Sequence, residues 1–161
     1  MTESWQTLFA TQAGVGAALT GLVFVALSIN LKHILALPGL AGRAGEAVLL
    51  LLLPVMNGLV GVLPQTSRTA LGAELLAIAL ALWVVVSVIL VGGRKAARGR
   101  PFHEYAVRVG TTQAAVVPAI VAGCFLLAGN LDGLWWQAAA ILLCIVVGVF
   151  DAWVLLVEIL R

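Results

Sequence analysis

Apolar residues fill five long runs of the chain, and most polar residues lie in the shorter stretches between these runs. Each run is long enough to cross a bilayer as a helix, because about 20 apolar residues suffice at ~1.5 Å of rise per residue. The runs lack the alternation of apolar and polar positions that marks a membrane β-barrel. The pattern predicts an all-α, polytopic membrane protein with one membrane domain over 1–161 and helices at about 8–31, 46–63, 72–91, 107–128 and 135–160.

The last run carries an acid, Asp151, inside its apolar sequence. A carboxylate near the centre of a membrane helix costs roughly 2.5–3.5 kcal/mol on insertion scales, so it should face protein or water. The other sides of the run are Leu, Ile, Val, Phe and Trp, and these sides suit lipid. One side, predicted to face inward, collects polar and small residues at helical spacing: Gln137, Cys144, Gly148, Asp151 and Glu158.

Lysine and arginine divide unevenly between the two sides on which the links alternate. Arg68 stands alone on one side, and the other eight cations fall on the opposite side. Because cytoplasmic loops carry the excess of Lys and Arg, the N-terminus is predicted outside and the C-terminus in the cytoplasm. Anionic lipid headgroups are the expected partner of the basic residues in and beside the cytoplasmic loop at 92–106, and a nucleic acid is not: Arg94, Lys95, Arg98, Arg100 and Arg108.

Several polar side chains fall at similar depth in the cytoplasmic half. Asp151 lies seven residues before Glu158, which places it about 10 Å inside the boundary at helical rise. In one interpretation these side chains form a polar intramembrane site. In the other, each bonds to a carbonyl of its own helix, and Asp151 pairs with Arg108 or takes up a proton. The residues assigned to the site are Asp151, Asn57, Gln113, Ser87, Asn30 and Glu158.

Composition favours a membrane protein without catalytic chemistry. The chain is 63% hydrophobic and 10% charged, with a mean hydropathy of +1.15, far from the values of soluble domains. His33 and His103 both fall in predicted cytoplasmic links, so no zinc cluster is expected. With Asp151 as the one deep acid, an aspartyl dyad is not expected either. We therefore expect no enzyme, no cofactor and no metal.

Small residues predict closely packed helices. The chain has 17 glycines, and Ala10, Gly14 and Ala18 recur at a four-residue spacing in the first run. Such spacing lets helix backbones approach one another in lipid. Cys124 and Cys144 fall at different depths, so we expect no disulfide between them and treat both as small packing residues.

Three stretches together carry a resemblance: TGLVFVALSINL at the end of the first run, PQTSRTALGAELL across the second link, and DAWVLLVEILR at the C-terminus. They resemble a largely uncharacterised family of small multi-pass bacterial membrane proteins, common in actinobacteria, over nearly the whole chain. Some members are automatically labelled modulators of a membrane-anchored AAA protease. The resemblance implies a multi-pass protein of the bacterial inner (plasma) membrane and brings no catalytic residues with it.

Two functions are consistent with these patterns. In the first, a homo-oligomer lines a permeation path for an ion or small solute, with Asp151 as a cation or proton site, because charges within membrane helices commonly mark such paths. In the second, the chain is a non-catalytic accessory or modulator subunit of a larger membrane complex, such as a membrane protease. Its small-residue faces would then dock the membrane-protein partner.

Overall fold

The computed structural model describes residues 3–65, 67–96 and 102–159, and nearly all of them are helical. Five helices are long and apolar enough to cross a membrane, whereas α2 has only six residues. The predictions of an all-α chain and of five membrane-length helices are therefore confirmed. The helices are α1 (Glu3–Ile29), α2 (Leu31–Ala36), α3 (Leu40–Val62), α4 (Arg68–Ala96), α5 (Phe102–Leu127) and α6 (Gly133–Ile159).

Two helices begin well before the apolar runs that predict them. α3 begins at Leu40 and not near residue 46, and α5 begins at Phe102 and not near residue 107. Hydropathy marks only the apolar part of a helix, whereas the backbone hydrogen bonds continue through the polar residues on either side. As a result, Glu46 and Arg108 each lie six residues inside a helix and not at its first turn.

The connection between α1 and α3 consists of α2 and a tight turn at residues 37–39. Gly39 has a φ of +86°, a left-handed conformation that glycine adopts without a steric penalty. The turn reverses the chain, so that α3 runs antiparallel to α1.

α3 is the central helix of the bundle. It packs against α1, α4 and α6, and α5 packs against α4 and α6. α1 is peripheral: among its residues only Phe9, Gln12 and Gly16 are buried. These three residues form the stripe of α1 that faces α3.

The two ends of the bundle differ in chemistry. At one end, called here the tryptophan end, α1 and α6 begin side by side, and Trp5 packs edge-on against Trp135 with ring centroids 5.3 Å apart. At the other, called here the basic end, α3 and α5 begin and α4 and α6 end. Arg43, Arg94 and Arg108 lie at this end.

Two apolar clusters occupy most of the interior. The tryptophan-end cluster consists of Phe9, Leu71, Leu75, Leu126 and Leu134, with Trp5 and Val60 packed against it. The central cluster joins α3, α4, α5 and α6, and its residues are Leu50, Leu53, Ala79, Leu82, Val86, Leu90, Ala115, Val116, Ala119, Ala140 and Cys144.

α1 and α3 approach closely, but not through the residues expected from the sequence. Ala10, Gly14 and Ala18 lie on the exposed side of α1. The close approach uses glycines of α3 instead: a Cβ on Gly61 would overlap the Phe9 ring, and a Cβ on Gly58 would lie 2.6 Å from the Phe9 carbonyl oxygen. A spacing rule finds small residues without showing which helix face meets a neighbour.

The two cysteines have different surroundings, and Cys124, expected to be a packing residue, is exposed. Cys124 and Cys144 are not bonded to each other. Cys144 is fully buried, and its Sγ lies 3.3 Å from the carbonyl oxygen of Ala115, to which it donates. It therefore acts as a packing residue between α6 and α5.

Candidate functional site

A cavity of about 960 Å³ opens at the basic end, between the start of α3, the end of α4, the start of α5 and the second half of α6. Apolar side chains of α6, among them Val146, Val147, Phe150 and Val154, form much of its wall. The cavity therefore combines an apolar wall with several ionisable groups. The charged residues that line it are Arg43, Arg94, Glu104, Arg108, Asp151 and Glu158.

A fully buried acid lies next to this cavity. Glu46 is 0% exposed, and its Oε2 accepts hydrogen bonds from the Nε of Arg108 at 2.7 Å and from the Nη2 of the same guanidinium. Its Oε1 accepts a hydrogen bond from the hydroxyl of Thr112. Arg108 and Thr112 lie one helical turn apart on the same side of α5. Both carboxylate oxygens are thus bonded, as a buried ion pair requires.

Asp151 differs from Glu46 in its bonding. It is 5% exposed, and its Oδ2 is buried with no hydrogen-bond partner in the described part of the chain. It lies within electrostatic range of Glu46, Arg43 and Arg108. Arg108 donates to Glu46, however, and Nη1 of Arg43 donates to Oε2 of Glu158 at 3.1 Å. Both nearby arginines are therefore bonded to a different carboxylate.

The structure corrects both expectations for Arg108. Its side chain is 19% exposed and points inward to Glu46, so it is neither the partner of Asp151 nor turned to lipid headgroups. The reason is its position six residues inside α5, where the side chain faces the beginning of α3.

Of the other four basic residues expected to contact lipid headgroups, the structure describes Arg94 and Lys95. The guanidinium of Arg94, at the rim of the cavity, lies over the rings of Phe102 and Tyr105, 5.7 and 5.3 Å from the two centroids, an arrangement typical of cation–π contacts. Lys95 belongs to the last turn of α4. Arg98 and Arg100 fall in the segment 97–101, which is not among the described residues.

The six residues predicted to form one polar site are not brought together. Asp151 and Glu158 line the cavity. The Asn30 side chain, just after the end of α1, donates to the Ala26 carbonyl of α1 at 2.9 Å, which is close to the local-bonding interpretation. Gln113 accepts a hydrogen bond from Trp83 at 2.6 Å near the surface between α4 and α5.

Ser87 and Asn57 are the remaining two residues of the polar site predicted from the sequence. The Oγ of Ser87 is buried and has no partner among the described residues. Asn57 is buried on α3, eleven residues beyond Glu46, which is about 16 Å along the helix. Asn57 therefore lies much closer to the tryptophan end than Asp151 does, because the helix carries it away from the basic end.

The inward face predicted for α6 is observed. Gln137, Cys144, Gly148 and Asp151 are all buried, and Glu158 is partly buried. A Cβ on Gly148 would lie 2.9 Å from the side chain of Leu51 on α3. Sequence reasoning missed Arg43, Glu46 and Thr112 as members of the site, although extending α3 by two turns would have placed Glu46 inside the bundle.

No three His, Cys, Asp or Glu side chains within residues 3–65, 67–96 and 102–159 come close enough together to hold a metal ion. Among the described residues of the basic end, Arg43 with Glu158 and Arg108 with Glu46 form ion pairs, and Asp151 lies beside them.

No protein-family model, curated protein or solved structure matches the chain. The geometry of the cavity at the basic end is the basis on which a function is proposed.

Proposed function

We propose that this multi-pass membrane protein forms a permeation path for a small monovalent cation or a proton, in which Asp151 is the binding group. The observation that carries the proposal is the buried Oδ2 of Asp151, which lacks a hydrogen-bond partner among the described residues while the carboxylate lines a cavity of about 960 Å³. A buried carboxylate is costly unless it is paired, so a proton or cation from the cavity would stabilise it.

The neighbouring charges favour a cation at Asp151 over an anion. Arg108 is bonded to Glu46, and Arg43 is bonded to Glu158. The positive charge of each arginine is thereby largely offset before Asp151 is considered. Intramembrane acids of this kind commonly mark ion or proton paths.

The central cluster limits where the cation can go in this conformation. Cys144, a member of that cluster, lies seven residues before Asp151 on α6, about 10 Å nearer the tryptophan end. The path from Asp151 towards that end is therefore closed by packed apolar side chains. In this conformation Asp151 exchanges its cation with the basic end, and passage requires the central cluster to open.

We propose that the basic end lies in the cytoplasm, which the excess of Lys and Arg at that end supports, and that the membrane is the bacterial inner membrane, as the sequence resemblance implies. Anionic headgroups would then meet Arg94 at the rim, where its side chain is exposed. The cavity lies within a single chain, between α3, α4, α5 and α6, so a homo-oligomer would contain one path per subunit.

Flux measurements on proteoliposomes test this proposal. The purified protein would be reconstituted into vesicles containing a pH-sensitive dye or a potassium-sensitive dye, and Asp151→Asn would be compared with the wild type. We expect the variant to lose at least about tenfold in flux. Asp132→Asn provides the matched control, because Asp132 is exposed in the turn between α5 and α6 and should leave the flux unchanged.

Two results would contradict the proposal. One is a wild-type flux no greater than that of protein-free vesicles for protons, sodium and potassium. The other is a flux through Asp151→Asn equal to that of the wild type, since the binding group would then be unnecessary.

A second function is favoured by a different part of the molecule. α1 is exposed along most of its length, and a Cβ added to Gly14 or to Gly21 would meet, within 4 Å, no described atom outside the nearby backbone of α1 itself. A surface of this kind suits the close approach of another membrane helix. We propose as the alternative that the chain is an accessory subunit that docks a larger membrane complex, such as a membrane protease, through α1.

Native purification separates the two functions. An accessory subunit should co-purify with a larger complex after mild solubilisation, and Gly14→Leu should release it while leaving proteoliposome flux unaffected. Recovery of the protein solely as copies of itself would contradict the accessory function.

A further inference from the structure

Three amide side chains are buried in the half of the bundle nearer the tryptophan end. Gln12 on α1 is 3% exposed, and Asn57 on α3 and Gln137 on α6 are each 1% exposed. Both polar side-chain atoms of Gln12, both of Gln137 and the Oδ1 of Asn57 make no hydrogen bond to any described residue. Buried amides are almost always hydrogen-bonded, so these five atoms require an explanation.

The packing of α1 on α3 places Gln12 and Asn57 at one level. Phe9 lies against Gly61, and Gly16 lies against Leu51 and Pro54. Gln12 falls between Phe9 and Gly16 on the same buried stripe. Its level on α3 is therefore near residues 57 and 58.

The packing of α6 beside α1 and α3 places Gln137 about one turn from this level. α1 and α6 run parallel from the tryptophan end, where Trp5 contacts Trp135 and where Phe9 and Leu134 belong to one cluster. Gly148 of α6 lies against Leu51 and the Ala47 carbonyl of α3, so Gln137, eleven residues earlier on α6, lies about one turn nearer the tryptophan end than Asn57. All three amides thus lie within about one turn of one another along the bundle, in a region called here the amide layer.

Apolar side chains separate the amide layer from both ends. The tryptophan-end cluster lies about one turn away on one side, and on the other side lie Leu53 and Ala140 of the central cluster. The described members of both clusters are apolar apart from the Trp5 indole and the Cys144 thiol, and that thiol donates to the Ala115 carbonyl. The amide layer is therefore an enclosed polar region within an apolar bundle.

The missing hydrogen-bond partner of this layer is a neutral one. Amides present both donors and acceptors, and the nearest buried acid on the same helix as Asn57 is Glu46, about 16 Å away. An ion would lack a countercharge here. A small neutral molecule that both donates and accepts hydrogen bonds would suit all three side chains.

We propose that Gln12, Asn57 and Gln137 form an internal water-binding site. Each bound water makes about three hydrogen bonds to buried polar groups in proteins, so one or two waters are enough for the five atoms. The site does not depend on the role proposed for Asp151. If the water site and the Asp151 path both exist, the bound water provides a polar binding position on the side of the central cluster opposite Asp151.

The direct test is magnetisation transfer from water to the amide protons. Protein labelled with ¹⁵N-glutamine and ¹⁵N-alanine would be prepared in detergent micelles, and nuclear Overhauser transfer from water to each glutamine side-chain NH₂ and to the alanine backbone amides would be measured. Gln12→Met and Gln137→Met assign the two buried signals. We expect both to show transfer from water, as exposed Gln6 does, while the backbone amide of buried Ala140 shows none.

Thermal stability provides the second readout. If water joins the amides, Gln137→Met removes hydrogen bonds from the shared water and lowers Tm by several degrees. The double variant with Gln12→Met then loses less than the sum of the two single variants, because the water is lost once. Gln6→Met, a change at an exposed position, should leave Tm unchanged.

Either of two results overturns the proposal. The first is an absence of transfer from water to both Gln12 and Gln137. The second is a rise in Tm in each Met variant, because replacing a dry, unbonded amide with an apolar side chain of similar shape is stabilising. Flux through proteoliposomes is not used in either measurement, so failure of the Asp151 proposal would leave this test intact.

Discussion

Glu46 and Asp151 are both acids buried in the basic half of the same bundle, yet their surroundings are opposite. Glu46 receives two hydrogen bonds from Arg108 and one from Thr112. Asp151 has an oxygen without any partner among the described residues, and it lines a cavity. Burial alone therefore does not separate a structural acid from one that is proposed to bind a ligand.

The number of partners makes that distinction. A buried ion pair with all of its hydrogen bonds made holds two helices in a fixed relation, and removing one member leaves an uncompensated charge. An unpaired acid beside a cavity contributes little to the fold and is available to a ligand. We infer that Glu46 and Arg108 fix α3 against α5, and that this frame holds Asp151 in place.

The largest effect is expected from Arg108→Met, which leaves Glu46 buried without its cation. Removing one partner of a buried ion pair costs about 3–5 kcal/mol. The free energy of unfolding, measured by SDS titration in mixed micelles, should fall by that amount. Arg94→Met is the matched control, because Arg94 is exposed and, among the described residues, its guanidinium lies over two aromatic rings; its effect should stay below about 1 kcal/mol.

The double variant Glu46→Leu with Arg108→Met sharpens this result. Replacing both members of a buried pair with apolar residues is often neutral, so the double variant should recover most of the stability lost in the single one. A double variant as unstable as Arg108→Met alone would show that the loss comes from packing and not from the stranded carboxylate.

The next largest effect on stability is expected when the carboxylates of Glu46 and Asp151 are each replaced by the matching amide. Glu46→Gln removes a charge that is hydrogen-bonded to an arginine, and it should lower the free energy of unfolding by about 1.5–3 kcal/mol. Asp151→Asn removes a charge that has no such partner, so it should change stability by less than about 1 kcal/mol. Thermal unfolding of the two variants side by side measures the difference. Equal losses at both positions would contradict the comparison.

Much of the fold was predictable because it depends on local properties of the sequence. Five apolar runs give five membrane-length helices, and the inward face of α6 follows from the spacing of Gln137, Cys144 and Asp151. Lipid forces polar groups on such a helix to face protein or water, so the pattern along one helix is sufficient.

The ion pair beside the cavity was not predictable in the same way. Glu46 and Arg108 are 62 residues apart, and no periodicity relates positions on two different helices. Both residues also lie at the ends of apolar runs. The hydropathy pattern therefore predicts a position at the membrane boundary, whereas the structure places each of them nearly two turns inside its helix. Which residues meet is decided by the rotation of α3 and α5 about their own axes, and a single sequence does not specify it.

The smallest effect is expected at the second ion pair of the cavity. Arg43 and Glu158 are 3.1 Å apart, with side chains 19% and 28% exposed, so water screens their attraction and the pair resembles those at protein surfaces. Arg43→Gln should lower the free energy of unfolding by no more than about 1 kcal/mol, and raising the salt concentration should shrink that difference further. The measurement is the same SDS titration at low and high salt, with Arg68→Gln, at the opposite end of the bundle, as the control. A loss as large as that of Arg108→Met would place Arg43 with the structural pair, and Glu158 would then join Glu46 among the acids that the fold requires.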